Sequence, residues 1–255
     1  MILQDQYILN LASKGLRVDK RGPEDYRKIE VEKNPIEKAE GSARVRMGKT
    51  EVIAGVKLGI GTPFPDVPDQ GVLIVNAEFS PIASPEFESG PPSEKAIELA
   101  RVVDRGIRES KVIDTKKLCI EKGEKVWLVN VDIHILNHAG NLIDAAGLAA
   151  ITALWEAMMP ELKDGEVNYE KRTKKLPVAA KPVPITFVKV EGNLFMDPNL
   201  EEEEVMGARL TVTTKDNGNI VALQKGGLEA LTQDEVEKAF ELAEKKAKEL
   251  RKLVN

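Results

Sequence analysis

Cysteine and histidine are both scarce in this chain, and each scarcity removes a class of chemistry. Among 255 residues there is one cysteine, Cys119, so no internal disulfide and no Cys-x-x-Cys metal pair can form. Its place in an apolar, strand-like run reads as a core position. The two histidines, His134 and His138, lie in a strand-to-turn stretch. On a strand they share a face too far apart to chelate, and a zinc site needs further ligands and a helix beneath the pair. They read as one strand and one turn histidine. Neither a Gly-x-Ser-x-Gly elbow nor a credible Cys–His pair is present for nucleophilic catalysis. No apolar run approaches the ~18 residues of a membrane span. The amphipathic start, MILQDQYILNLASKG, lacks the basic segment and apolar core of a secretory signal. A soluble, cytoplasmic protein is the expectation.

What remains is ample for a folded domain. Hydrophobic residues make up 42% of the chain, which supports a sizeable core and argues against global disorder. The net charge is −5. An acidic chain binds nucleic acid only through a local basic patch or a basic partner.

Periodicity and turn residues predict strands and helices in two successive groups. A helix over 3–14 ends at Gly15, and a strand follows near 26–33. GSARVRMGKTEVIAGVKL (41–58) reads as a hairpin turning at Gly48-Lys49. GVLIVNAEFSPIA reads as a buried strand. Ser93 caps the helix of SEKAIELARVVDRGIRES (93–110). Two strands meet at Lys122-Gly123, the second alternating Val126 and Leu128 on one face. LIDAAGLAAITALWEAMM is apolar almost all round, hence a buried helix. The polar stretch that follows reads as an exposed connector. Two hairpins then turn at Gly192-Asn193 and at Asp216-Asn217-Gly218. Thr232 and Glu235 form a capping box for a long amphipathic C-terminal helix. The expectation is an α+β protein: an N-terminal helix and arm (1–30), a first half (31–160), a connector (161–176) and a second half with the C-terminal helix (177–255).

Three motifs deserve weighing. GIGTPFPDVPDQG is neither a dinucleotide-binding nor a Walker-type loop, so its glycines read as loop glycines. Four consecutive glutamates, Glu201 to Glu204, offer either a divalent-metal site or a solvated turn entering a strand, and the turn is the favoured reading. The third motif is a row of arginines. At about 3.6 residues per turn, Arg101, Arg105 and Arg108 share one helix face. Arginine grips phosphate at two points, so the row reads as a polyphosphate track. The alternative is a salted helix surface, with Glu94, Glu98 and Asp104 spaced to pair with those arginines. Lysine would serve a solvated face as well, and its absence from the stripe leans toward binding.

Several segments, taken in order, resemble the RNase PH family: GSARVRMGKTEVIAGVKL, GVLIVNAEFSP, IELARVVDRGIRES and AGNLIDAAGLAAITALWEA. GPPSEKAIELARVVDRGIRESKVID, with DPNLEEEEVMGARLTVT further on, is more narrowly similar to the non-catalytic ring subunit of the archaeal exosome. The resemblance implies the RNase PH fold, like the second domain of ribosomal protein S5, in two βαβ-type halves. It implies a hexameric ring, a trimer of dimers with a catalytic RNase PH-like sister. Caps bearing S1 or KH domains admit single-stranded RNA, whose 3′ end is attacked by inorganic phosphate.

Two departures from the active pattern define the expected role. Active relatives carry Gly-Gly-Thr-Arg before the buried helix; here the run is Gly140, Asn141, Leu142 and Ile143. Isoleucine neither donates hydrogen bonds nor offsets phosphate charge. Active relatives also carry two aspartates near the last hairpin, at the positions of Glu203 and Arg209 here. Arg209 repels the Mg²⁺ that an acid there would hold. The resemblance therefore implies no catalytic residues, no metal and no cofactor in this chain. It implies RNA contacts from Arg101 and Arg105, with Arg108 on the same helix either turned inward or paired to Asp104. The runner-up is a self-sufficient phosphorolytic exoribonuclease using a shifted carboxylate from Glu201–Glu204. A kinase-like enzyme on the related fold would need a phosphate-cradling glycine loop, and none is visible.

Overall fold

The computed structural model describes residues 2–163 and 166–255. Helix α1 (Ile2–Ala12) leads through an arginine-bearing arm into strands β1 (Ile29–Lys33), β2 (Gly41–Met47), β3 (Thr50–Gly61) and β4 (Val72–Phe79). Helix α2 (Glu94–Glu109) and a 3-10 turn precede β5 (Cys119–Glu121) and β6 (Lys125–Asn137). Helix α3 (Leu142–Glu156) closes this first group. Its sheet runs β1-β2-β3-β6-β4, with β5 added beside β6. Strand β4 pairs with β6 in parallel, the crossover being made by α2, and all other pairs are antiparallel.

The alternation of β6 buries Trp127, Val129, Val131, Ile133 and Ile135 on its helix-covered face. Asn130, Asp132 and His134 occupy the other face, only half-buried. Strand β4 is a sheet edge rather than a fully buried strand, and Ile74 is 38% exposed. Cys119, at the junction with the short edge strand β5, is only half-buried, not a sealed core residue.

The stretch read as a connector is ordered as a hairpin of β7 (Met158–Lys163) and β8 (Glu166–Lys175). Nearly every β8 side chain is exposed, so no polar–apolar alternation announces the strand. Asp164 and Gly165 of that stretch lie outside the described residues.

The second sheet, β10-β9-β11-β12, is wholly antiparallel: β9 (Val183–Val190), β10 (Asn193–Met196), β11 (Ala208–Thr214) and β12 (Ile220–Gly227). The β9–β10 turn is the pair Glu191-Gly192, both at positive φ, one residue earlier than expected. Helix α5 (Gln233–Val254) starts at the predicted capping box of Thr232 and Glu235.

Strand β9 is buried along its whole length. One face carries Val183, Ile185 and Phe187 against Ala239, Ala243 and Ala247 of α5. The other meets α3, where Gly147 lets Pro184 approach so closely that a Cβ would stand 2.4 Å from its ring, and α1, where Ala12 packs with Val188 and Val190. Helix α3 is thus the shared element, pressed between β2 and β3 on one side and β9 on the other. Its alanines make that double approach possible.

The same crowding governs Gly41. A Cβ there would lie 2.3 Å from the Ala153 carbonyl oxygen and 2.6 Å from Ala157 Cα, both backbone atoms of the α3 terminus. Gly41→Ala is therefore expected to destabilise the fold by about 1–3 kcal/mol through overpacking, read as a lower midpoint in denaturant unfolding.

Candidate nucleic-acid interface

Helix α2 forms because apolar residues recur at helical spacing and Ser93 accepts from Ala96 N at its start. Leu99, Val102, Val103 and Ile107 are buried, which turns Arg101, Arg105 and Arg108 outward. The three do not behave alike. Arg108 bonds Asp104 bidentately (3.0 and 2.6 Å) and donates to the Leu73 carbonyl (3.1 Å), so it is the salted end of the row. Arg101 and Arg105 have no hydrogen-bond or ion-pair partner among the described residues. They line a groove of about 380 Å³ between α2 and the β11–β12 hairpin, with Thr211, Thr213 and Gln224 on the opposite wall. Ile97 and Leu223, each nearly half exposed, give that groove apolar ground.

A second cleft, about 470 Å³, opens where α3 begins. Ile143, Leu142, Leu99, Leu200 and Met206 make its walls apolar, and Glu203, Arg209 and His138 reach it. Ile143 is 6% exposed and belongs to the main core. Asn141 stands in the left-handed region (φ 54°), and its N–H donates to Glu203 Oε1 at 2.9 Å. A carboxylate of the chain itself thus sits at the N-terminal end of α3, where helix dipole and free amides favour an anion. Burial raises the Glu203 carboxyl to about 7, partly countered by the Asn141 N–H and by Arg209 and Arg27. Arg209 is ion-paired with Glu98 of α2.

The four glutamates are a short capped helix, α4 (Leu200–Val205), rather than a solvated turn. Glu202 completes a capping box with Asn199 and pairs with buried Arg17 at 2.5 Å. Glu201 accepts from Gln4, Glu203 from Asn141, and Glu204 borders the cleft. Each acid thus has its own direction. Among the described residues no three acidic, histidine or cysteine side chains gather as metal ligands. Arg209 brings a cation to the cleft that Glu203 and Glu204 line, and this set of side chains does not fit a divalent cation.

Beneath the cleft lies a network that sequence reading missed. Asp197, with a fully buried side chain, accepts from Arg21 Nη1 (2.8 Å), Arg27 Nε and Nη2 (2.9 and 2.7 Å), the Arg27 amide (2.8 Å) and Asn141 Nδ2 (2.8 Å). Asp144, in the first turn of α3, accepts from Tyr26, Asn141 and both the amide and hydroxyl of Thr186. Burial lifts its carboxyl to about 6 against those four donors. The visible signal was the clustering of Arg17, Arg21 and Arg27 before the first strand; their partners lie far along the chain.

Family models assign residues 25–160 to the 3′ exoribonuclease family, domain 1, and residues 181–246 to its domain 2. The chain belongs to the RNase PH 3′ exoribonuclease family. It is 51% identical to the exosome complex component Rrp42 of Pyrococcus abyssi, over 99% of this chain and 93% of that protein. The Rrp42 component of Methanosarcina acetivorans is 52% identical over 98% and 93%. A solved chain of the Archaeoglobus fulgidus exosome with RNA bound to the active site superposes with a TM-score of 0.94, at 46% identity and 99% and 98% coverage. A chain of an archaeal exosome core gives 0.88 at 43% identity, covering 99% of this chain and 96% of that one. The α+β expectation and the RNase PH fold agree with these matches.

The raised Glu203 carboxyl has a sign that can be measured. Its folded value exceeds its unfolded one, so the folded state holds the proton more tightly and stability falls as pH rises from about 4.5 to about 7. Glu203→Gln keeps an acceptor for Asn141 N without the charge. At pH 8 it should gain on the order of 1–2 kcal/mol over the unsubstituted chain, after allowance for partial solvation. Thermal unfolding at pH 8 and pH 4 checks this, and the gain should be nearly gone at pH 4, below the unfolded value.

Proposed function

We propose that this chain is the non-catalytic, RNA-gripping subunit of a phosphorolytic 3′→5′ exoribonuclease ring, in the place that Rrp42 holds in archaeal exosomes. The observation that carries the reading is the division between the two cavities. The α3 cleft has an apolar Ile143 where active relatives place their phosphate-binding arginine, and Glu203 already fills the anion position at the helix end. Inorganic phosphate entering there would meet the Glu203 carboxylate, and the two cations that line the cleft, Lys95 and Arg209, are paired with Glu86 and Glu98. The α2 groove, by contrast, holds two arginines with no partner among the described residues.

Arg101 and Arg105 then hold the phosphodiester backbone of single-stranded RNA, while a catalytic RNase PH-like sister subunit supplies the phosphate site and the acid. Such contacts carry no base information, which suits degradation of RNA of any sequence. Arg108, tied to Asp104, contributes at most from the edge of the track. The hexameric ring with its sister, the S1- or KH-bearing cap and a cytoplasmic setting all belong to this reading. Against the self-sufficient enzyme stand Ile143, Arg209 and the separate engagement of Glu201, Glu202 and Glu203.

Two outcomes follow. The purified chain alone should release no nucleoside diphosphate from RNA in the presence of phosphate; phosphate-dependent release lost on Glu203→Gln would establish the enzyme reading instead. In the assembled ring, Arg101→Glu with Arg105→Glu should weaken RNA binding about tenfold or more at low salt, the deficit shrinking as salt rises. Binding titrations with a fluorescent oligoribonucleotide, beside a sizing run that verifies assembly, test it.

A further inference from the structure

The arginines of the groove are unpaired although acids stand within helical reach of them. Glu98 lies one turn before Arg101 on the same face of α2, an i,i+3 spacing at which Glu and Arg ordinarily pair; Arg105 stands a further turn on. Its carboxylate points elsewhere. It is held across the groove floor by the Arg209 guanidinium of β11 and by Gln224 Nε2 of β12 at 3.3 Å. Arg209 reaches it by lying across Gly226, its partner in the β11–β12 register. A Cβ at 226 would stand 3.1 Å from Arg209 Nη2 and 3.4 Å from Cζ, so the guanidinium occupies the space a side chain would need.

The charges lining the groove are two arginines, Arg101 and Arg105, against two glutamates, Glu94 and Glu98, a sum of zero. Arg209 is not part of that lining, yet it neutralises Glu98 and leaves one positive charge in excess. We infer that Arg209 is a positioning residue for RNA binding: it withdraws Glu98 from the helix face, so keeps Arg101 free for phosphate, and offsets the Glu98 charge in the groove that Arg105 shares. The residue that departs most sharply from the active pattern thereby acquires a use. This rests on the RNA-gripping reading above, and it assigns a specific role to a side chain that need not touch RNA.

The test uses the chain assembled in its ring, a fluorescent oligoribonucleotide, and five variants. Arg209→Met should lower RNA affinity about two- to fivefold at low salt, the worth of one exposed charge pair, with the loss fading at high salt. Arg209→Lys should recover most of the affinity. The decisive variant is Arg209→Met with Glu98→Gln: removing the released carboxylate should return binding to the level of the unsubstituted ring. Glu98→Gln alone should bind at least as well as that ring. A purely structural defect in β11 would not be repaired by changing Glu98. The inference is overturned if Arg209→Met binds normally, or if the double variant stays as weak as Arg209→Met. Arg101→Glu with Arg105→Glu in parallel separates the two failures. If that variant binds normally, the RNA-gripping reading itself falls; if it binds weakly while Arg209→Met does not, only the role of Arg209 falls.

Discussion

Asp197 sits where no solvent reaches its side chain, and the arrangement around the α3 cleft follows from satisfying it. Arg21, Arg27 and Asn141 donate to its carboxylate, and its own backbone carbonyl receives Arg17 and Arg21. Three separate pieces of chain are fixed by this: the arm after α1, the left-handed entry to α3, and the loop that launches α4. A buried charge that loses its partner costs about 3–5 kcal/mol, so none of the three pieces can shift alone. Glu203 is delivered to the helix end by that constraint, since α4 is pinned at one side by Asp197 and at the other by Arg17 on Glu202. Gly140 completes the fit: a Cβ there would meet Asn199 and Leu200 backbone at 2.4 and 2.5 Å.

The same sheet serves both cavities. Strand β11 carries Arg209 toward the α3 cleft and Thr211 and Thr213 toward the α2 groove. The chemistry of the two differs because of what each wall exposes. One sets aliphatic walls beside cations, Lys95 and Arg209, that are already paired with acids, and its anion position is filled by Glu203. The other presents guanidinium groups and hydroxyls on partly apolar ground. A protein of net charge −5 can present a cationic groove because the excess is local, set by which acids are paired away from it.

Local signals in the sequence were read well, and contacts between distant residues were not. Helix α2 and its Ser93 cap, the capping box of α5, the buried α3 and the Gly-marked hairpins all announce themselves within a few residues. The resemblance carried by the segments around α2 and α3 reached the family that the domain matches support. Three features escaped for physical reasons. The β7–β8 hairpin has too few buried residues to show a period. Helix α4 has a local capping box in Asn199 and Glu202 that was passed over, and Arg17, which holds Glu202, stands 185 residues away. The partners of Glu98 stand 111 and 126 residues away, whereas reading along a helix considers only its own neighbours. Asp197, preceding a proline in an unremarkable loop, gave no sign of the cations it collects.

Strand β9 has no face that belongs to solvent. One side is closed by α5, the other by α1 and by α3, a helix whose remaining surface is taken up by the first sheet, α2 and α5. The two family-model regions are distinct as stretches of sequence but not as bodies. Cutting the chain between Leu176 and Lys181 would uncover the Asp144 and Gly147 face of α3 on one fragment and the Pro184, Thr186, Val188 and Val190 face of β9 on the other. Each piece would carry an adhesive face, so the natural unit for expression, exchange or grafting is the whole chain.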